Sequence, residues 1–394
     1  MFSNLFPPVV SGSATQSAAL ASELVRRGHQ VCLITAQVNH ESAEYEGVEG
    51  VEIHRLPALR LPKMGIALNF PWLSYTYTRA NLRRVTSIVE QFKPDVLHLH
   101  NHMFDLSFSA VRMRKQFGIP LVVTLHTVIK HSNPIYNAIL SPIDRLFLRR
   151  WVIRQSDMLI HPDVNIEQYA LEAFGAFPGI IIPYGIAIQQ PDEQLIETLR
   201  SQHNLQDKRV ILSLGHVHEI RNRKDLVAAL PDVLATHPNT VLLIVGTVAT
   251  KTPALLAQEL GVKHAVIFTG AVPHAHIPAY LALADLEAHW LNQDDPIKTS
   301  LGIASLEAMS MGKVVMAAAN SDTYGPKLLR DGENFVLVKT GQPHALAQQI
   351  VALLDDPMRR EDIGAEARAT IEGHFSWDNV CAKTVALYQQ LVRS

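Results

Sequence analysis

The chain has 394 residues, 35 Lys and Arg against 37 Asp and Glu, a net charge of −2 and 47% hydrophobic residues. That is enough apolar material for two ordinary α/β domains, and the near-neutral balance argues against a charged tail or a nucleic-acid partner. No apolar run reaches the roughly 20 residues that span a bilayer, none follows a positively charged leader, and Cys32 and Cys381 have no paired spacing, so a cytoplasmic protein without disulfides or a zinc site is expected.

The chain opens Ser3-Asn4-Leu5-Phe6-Pro7-Pro8-Val9-Val10-Ser11-Gly12-Ser13-Ala14, a Pro-Pro turn and a small-residue loop in which Gly12 permits close backbone approach. Residues 13–27 carry apolar side chains at helical spacing; Gly28 then reads as a C-cap turn and 31–35 as a buried parallel strand. Residues 51–56 form a further strand. The segment 59–77 is apolar and aromatic, with Pro62, Pro71 and Trp72, and precedes a helix bearing Arg79, Arg83 and Arg84. A core-packed loop beside a solvated basic face is favoured there over contact with a lipid-linked acceptor or a membrane surface.

Pro94-Asp95-Val96-Leu97-His98-Leu99-His100-Asn101-His102 is a strand running into a loop. Its alternating histidines share a face only while the strand continues, which favours packing over a metal site. Pro120-Leu121-Val122-Val123-Thr124-Leu125-His126-Thr127 is another buried strand, and His126 falls at the C-terminal end, where α/β folds place ligand groups. Residues 157–161 and 179–186 continue the pattern, and the polar stretch 189–207 reads as a crossing into a second domain. There, 209–214 is a strand that ends in Gly215-His216-Val217-His218-Glu219-Ile220-Arg221-Asn222-Arg223-Lys224, and 240–246 and 266–270 extend the alternation.

The densest stretch is 284–316. Residues 286–290 read as a strand and 292–298 as a polar loop; Thr299 or Ser300 caps a helix that Gly312 stops, and 313–318 is the next strand. The first turn, Leu301-Gly302-Ile303, has no acidic side chain, so its N–H groups and the positive end of the helix dipole suit a phosphate. Glu307, among Ala304, Leu306, Ala308 and Met309, needs a partner such as a pair of sugar hydroxyls, unless it is a solvated Glu on an amphipathic helix.

Leu306-Glu307-Ala308-Met309-Ser310-Met311-Gly312-Lys313-Val314-Val315 resembles the LEAMA-x-G-x-PVV block of the family-4 retaining glycosyltransferases (glycosyl transferases group 1), which have the GT-B fold. The opening FPP loop, the PDV-x-H-x-H and P-x-V-x-T-x-H strands, residues 266–270, residues 332–338 and the closing Phe375-Ser376-Trp377 helix are similar to further motifs of that family. The resemblance implies an α/β protein of two doubly wound Rossmann-like domains facing across a cleft. One would be residues 1–186 with the helix 374–394 returned to it, the other residues 187–373. It implies a nucleotide-diphosphate sugar as donor, no further cofactor, a glycan or lipid-linked acceptor, and work at or near the inner face of a membrane, in polysaccharide, glycolipid or glycoconjugate synthesis.

By the same resemblance Glu307 takes the ribose, His126 lies beside the donor sugar, and Gly12, Ser300, Leu301, Gly302 and Ile303 approach the sugar and diphosphate. His216 stands where the family has Arg and Arg221 where it has Lys, with Lys224 as a second cation for the diphosphate clamp. The chain also departs from the pattern. Thr299 replaces the first Glu of the paired-Glu motif, with Asp294 and Asp295 nearby, Tyr184 replaces the Asn of IPNGI, and the long apolar opening strand is reduced to Met1–Ser3. A stub or gap is therefore expected at the centre of the first sheet, with a loss of stability that an apolar upstream extension would relieve. The departures leave two other readings open: a member that binds a nucleotide sugar or glycan without turnover and, more weakly, another enzyme of the same fold such as an epimerase.

Overall fold

A computed structural model describes residues 1–9, 11–37, 47–61, 73–129, 134–288, 291–292 and 300–393. The chain divides into two compact units, Met1–Gly185 with Trp377–Ser394, and Ile186–Ser376.

In the first unit the strands are β1 (Phe2–Ser3), β2 (Val31–Gln37), β3 (Val51–Pro57), β4 (Leu59–Leu61), β5 (Leu73–Tyr75), β6 (Leu97–His100), β7 (Leu121–Thr124), β8 (Met158–His161) and β9 (Gly179–Ile181). Among the described residues they build a parallel sheet in the order β3-β2-β1-β6-β7-β8-β9, with β4 and β5 a separate antiparallel pair. Strand β2 is buried from Val31 to Ala36, as a strand covered on both faces requires. Helices α1 (Gly12–Arg26), α2 (Arg79–Phe92), α3 (Leu106–Phe117) and α4 (Val164–Phe174) pack on it. The start of α1 is fixed by Ser11, whose Oγ accepts from the Ala14 amide at 3.1 Å. Its end is fixed by Gly28 at φ +86°, where the Gly28 and His29 amides reach the carbonyls of Val25 and Leu24.

The centre of this sheet is its shortest strand. Phe2 pairs with Ile34 and Leu99, and Ser3 with Thr35 and His100, while β2 reaches back to Val31 and β6 to Leu97. Below Met1 lies a cavity of about 500 Å³ bordered by Cys32, Ile88, Phe92, Leu97 and Tyr388. The Met1 ammonium donates to the Cys32 carbonyl at 2.6 Å, and burial pushes its pKa down to about 6. Both cysteines are buried free thiols, each pushed up by burial to about 11.

The second unit contains α5 (Glu193–Gln202), β10 (Arg209–Leu214), α6 (Arg223–Thr236), β11 (Thr240–Val245), α7 (Thr252–Glu259), β12 (Val266–Gly270), α8 (Ile277–Leu283), β13 (Leu286–Glu287), α9 (Ile303–Ser310), β14 (Val314–Ala317), β15 (Val336–Leu337), α10 (Pro343–Asp355) and α11 (Pro357–His374). Its parallel sheet runs β12-β11-β10-β13-β14-β15, the same doubly wound order. The final helix, α12 (Trp377–Arg393), returns to the first unit, where Asp378 pairs with Arg27 and the Trp377 ring lies against Gly185. A Cβ on Gly185 would come within 2.4 Å of that ring.

Three local expectations change. The stretch 189–207, expected as the crossing into a second domain, lies within the second unit and holds a helix, because Asp192 Oδ1 accepts from the amides of Gln194 (2.9 Å) and Leu195 (3.2 Å) and starts α5. The strand expected at 286–290 is assigned only over Leu286–Glu287, and His289 and Trp290 lie outside the described residues. Helix α9 does not have Ser300 as its cap. Gly302 is the N-cap, without a side-chain bond, and its carbonyl takes the amides of Ser305 (3.0 Å) and Leu306 (3.1 Å). Thr299, Asp294, Asp295, Pro62, Pro71 and Trp72 also lie outside the described residues.

Candidate functional site

In the second unit the site begins where β10 ends. Gly215 sits at φ +118°, and a Cβ there would stand 2.6 Å from Nη1 of Arg221, so the glycine serves both the turn and the guanidinium above it. Arg221, half-buried, ends a 3-10 turn (Glu219–Arg221), and Asn222 at φ 53° turns the chain into α6. Arg223 is buried. It donates from Nε to Ser213 Oγ at 2.8 Å, from Nη1 to the His216 carbonyl at 2.7 Å and from Nη2 to the Gly215 carbonyl at 2.9 Å.

Lys224, the expected second cation, is exposed, and its charge falls on Glu219. The Glu219 carboxyl is held below its ordinary pKa first by the hydroxyls of Thr250 and Thr252. The buried cation beside Arg221 is thus Arg223. His216 is pushed down by burial and by the charges of Arg221, His218 and Arg223, so the residue at the family's Arg position is a neutral imidazole at neutral pH.

The described part of 284–316 adds a carboxylate that sequence reasoning missed. Glu287 is 0% exposed on β13, between Leu212 of β10 and Val315 of β14, and Ser305 Oγ of α9 donates to its Oε2 at 3.0 Å. Burial lowers the pKa of Arg221 and Arg223, and the negative charge of Glu287 opposes that in both. Its one sequence signal is an acid inside an apolar strand.

Of the expected phosphate turn, Ser300 is half-buried, Leu301 is buried with its carbonyl accepting from Tyr324 Oη at 2.8 Å, Gly302 is the N-cap and Ile303 the first helical residue. No acidic side chain lies in the first turn of α9. Glu307 is only partly buried, its side chain 19% exposed, and it already has a partner: His274 Nε2 donates to Oε1 at 3.1 Å. This corrects the expectation that neighbouring residues leave Glu307 unsatisfied. The His comes from the turn His274–His276 and is raised in pKa by that hydrogen bond.

In the first unit His126 follows β7, and both of its ring nitrogens are engaged. Nε2 shares a hydrogen bond with His100 Nδ1 at 3.0 Å, and Nδ1 one with Tyr184 Oη at 3.0 Å. The rings of His98, His100, His126 and Tyr184 stack in series. His98 is tied to Thr124 Oγ1 at 2.7 Å and to Tyr388 Oη of α12 at 2.5 Å. Beyond β6, His102 pairs with buried Asp144 at 3.0 Å, which also accepts from the Tyr169 hydroxyl. Gly12 opens α1 with nothing within 4 Å of where its Cβ would be, and no acid lies in that first turn.

Burial pushes His98 and His126 down to about 3, His161 to about 4, and His100 well below its ordinary value. The unfolded chain, with histidines near 6.5, therefore takes up protons that the folded chain refuses once the pH falls below about 6.5. The stability these groups allow is complete above about pH 7 and is lost as the pH drops toward their folded values. Urea unfolding at pH 7, 6 and 5 should show a steadily falling midpoint; a flat profile contradicts the buried neutral histidines.

The family model described as glycosyl transferases group 1 matches residues 196–370, and that of the glycosyl transferase 4-like domain matches residues 11–185. An uncharacterized glycosyltransferase of Methanocaldococcus jannaschii is 26% identical across 98% of this chain and 96% of its own length. Glycogen synthase of Mycobacterium tuberculosis is 26% identical across 97% of this chain and 92% of its own. Among solved structures, HepE of Anabaena in complex with UDP has a TM-score of 0.73 at 18% identity, covering 99% of this chain and 98% of HepE. With the second unit matched by the glycosyl transferases group 1, the first by the glycosyl transferase 4-like domain, and both sheets doubly wound, the chain is a glycosyltransferase of the GT-B fold built from these two families' domains.

Proposed function

We propose that this glycosyltransferase moves a sugar from a nucleotide diphosphate to an acceptor hydroxyl with retention of configuration, in the synthesis of a polysaccharide, glycolipid or other glycoconjugate. The observation that carries the reading is Arg221, held over Gly215 at the C-terminal end of β10 in the unit whose helix α9 opens without an acid. A fixed guanidinium and oriented amides are what a departing diphosphate needs, since they stabilise charge that develops as the glycosyl bond breaks. The structural neighbour HepE is in complex with UDP, which supports a nucleotide as the ligand of this chain.

In this reading Glu307 exchanges His274 for the ribose hydroxyls. His126 lies beside the donor sugar, with both its ring nitrogens taken by His100 and Tyr184. Gly12 and the start of α1 approach the donor diphosphate and the acceptor, a glycan or lipid-linked molecule. Charge stabilisation is assigned to Arg221 and the α9 amides, and no resident metal is assigned a role. Among the described residues no helix is long and apolar enough to cross a membrane, and we place the reaction in the cytoplasm, at or near a membrane face.

A panel of nucleotide sugars assayed for hydrolysis and transfer tests the reading. Turnover of one donor, unaffected by a chelator, is expected, whereas tight binding without turnover would favour a degenerate binding protein. Arg221→Ala should weaken nucleoside diphosphate binding about 10-fold or more, the loss of one charge-assisted contact, and His216→Ala or Lys224→Ala far less. Equal affinities for wild type and all three variants in calorimetry would remove Arg221 from the clamp. Glu307→Gln should lower donor affinity with Tm nearly unchanged; a large drop in Tm with affinity intact would make Glu307 structural.

A further inference from the structure

We propose that Cys32, Glu52 and His54 form a binding site for a borderline-soft divalent cation of the zinc class, at the edge of the first unit's sheet and independent of the donor reading. The expectation of no zinc site rests on the spacing of cysteines along the chain. Strand pairing does what spacing does not: the parallel register of β2 and β3 sets Cys32 directly across from Glu52, and Ile34 across from His54. Glu52 and His54, two positions apart on β3, share one face of the sheet, and the Cys32 thiol lies on it. Among the described residues this is the one group of three such side chains whose ligand atoms, a thiol sulfur, a carboxylate oxygen and an imidazole nitrogen, all lie within 4.8 Å of one another.

Thiolate, imidazole and carboxylate are donors that a zinc-class ion takes together, with water in the fourth place. Bonds of about 2.3 Å to sulfur and about 2.0–2.1 Å to nitrogen and oxygen put tetrahedral ligand atoms roughly 3.4–3.6 Å apart. An ion therefore opens the 2.6 Å contact between His54 Nε2 and Glu52 Oε1 and draws the widest pair in from at most 4.8 Å, by about 1 Å in each case. The His54 and Glu52 side chains are 24% and 56% exposed and can make that adjustment at the surface, while Cys32 is buried and stays in place. A surface hollow bordered by Val31, Gly50, Glu52, Gln91 and Phe92 gives the ion and its water a way in. Binding forms a metal–sulfur bond and releases the thiol proton to solvent. Burial, with the Glu52 charge adding to it, raises the thiol to about 11, so the proton stays until a cation displaces it. The Met1 ammonium acts on the thiol in the opposite sense, but burial pushes it down to about 6, and being mostly neutral at neutral pH it opposes the cation little. Strand β3 is the sheet's edge, and Cys32 stands near the start of β2, at the other end from where α/β folds hold their ligands. The ion thus staples the edge strand to its neighbour and takes no part in transfer.

Titration of the full-length chain with Co2+ and Zn2+ at neutral pH tests this. Co2+ should give a thiolate-to-metal charge-transfer band in the near ultraviolet, and Zn2+, which binds such sites more tightly, should remove the band and raise Tm. Cys32→Ser should abolish the band and weaken Zn2+ binding in calorimetry. Glu52→Gln and His54→Gln should each weaken Zn2+ binding about 10-fold or more, since even partners behind the ligands of a metal cost that much. Both of these side chains are open to solvent, so their variants keep the fold and carry the test where Cys32→Ser lowers stability. Cys381→Ser, the other buried thiol of the unit, should titrate as the wild type does. Absence of the band, a band lost with Cys381 and kept without Cys32, or a Zn2+ affinity unchanged in Cys32→Ser and both β3 variants would overturn the site. None of these outcomes bears on the donor reading, which the nucleotide-sugar panel decides separately.

Discussion

Arg223 is the contact on which the second unit's site depends. Its three hydrogen bonds fasten the end of β10 and the carbonyls of Gly215 and His216 to the start of α6, so the turn that carries Arg221 is held from beneath. Without it, two partly buried carbonyls and the buried Ser213 hydroxyl would need other partners. The neighbouring strand closes over the same place: Gly246, at φ +143°, lets its backbone approach so near that a Cβ would stand 2.3 Å from the Gly215 carbonyl oxygen. A buried cation and a glycine on each of two strands thus leave the turn little freedom, and preorganisation of this kind is what makes a fixed charge useful against a developing one.

The first unit uses neutral groups for the same end. The stacked histidines and the Tyr184 and Tyr388 phenols form a buried chain in which hydrogen bonds do the holding. The phenol at position 184 occupies Nδ1 of His126, so this departure from the family pattern changes what His126 has left to offer a ligand. Asp105 does related work near the opening loop. Its carboxylate accepts from Asn4 Nδ2 at 2.9 Å, Thr76 Oγ1 at 2.9 Å and the Tyr77 amide at 2.8 Å, tying the segment after β1 to the one before α2.

Much of the fold was legible because its signals are local or periodic. Unbroken apolar runs such as Val31–Ala36 and β11 mark strands covered on both faces, and Gly28 and Gly312 mark helix ends by their positive φ. The site was legible only in part. Arg223 and Lys224 are adjacent at the start of one helix, and which of them is buried depends on the carbonyls of a turn several residues earlier, which no spacing records. His274 reaches Glu307 from another element, and Glu287 finds Ser305 from another element too, so their pairing is a property of the packed sheet and helix. The start of α9 was misplaced because Thr299 and Ser300 are good caps by propensity, whereas the chain enters the helix at Gly302.

The two cysteines, buried in the first unit with thiols raised to about 11, make the chain chemically quiet toward maleimides and other thiolate-seeking reagents at neutral pH. A single cysteine introduced on an exposed helix face would then be labelled against almost no background. Fluorophores or spin labels can be attached in this way to either unit of the otherwise natural sequence.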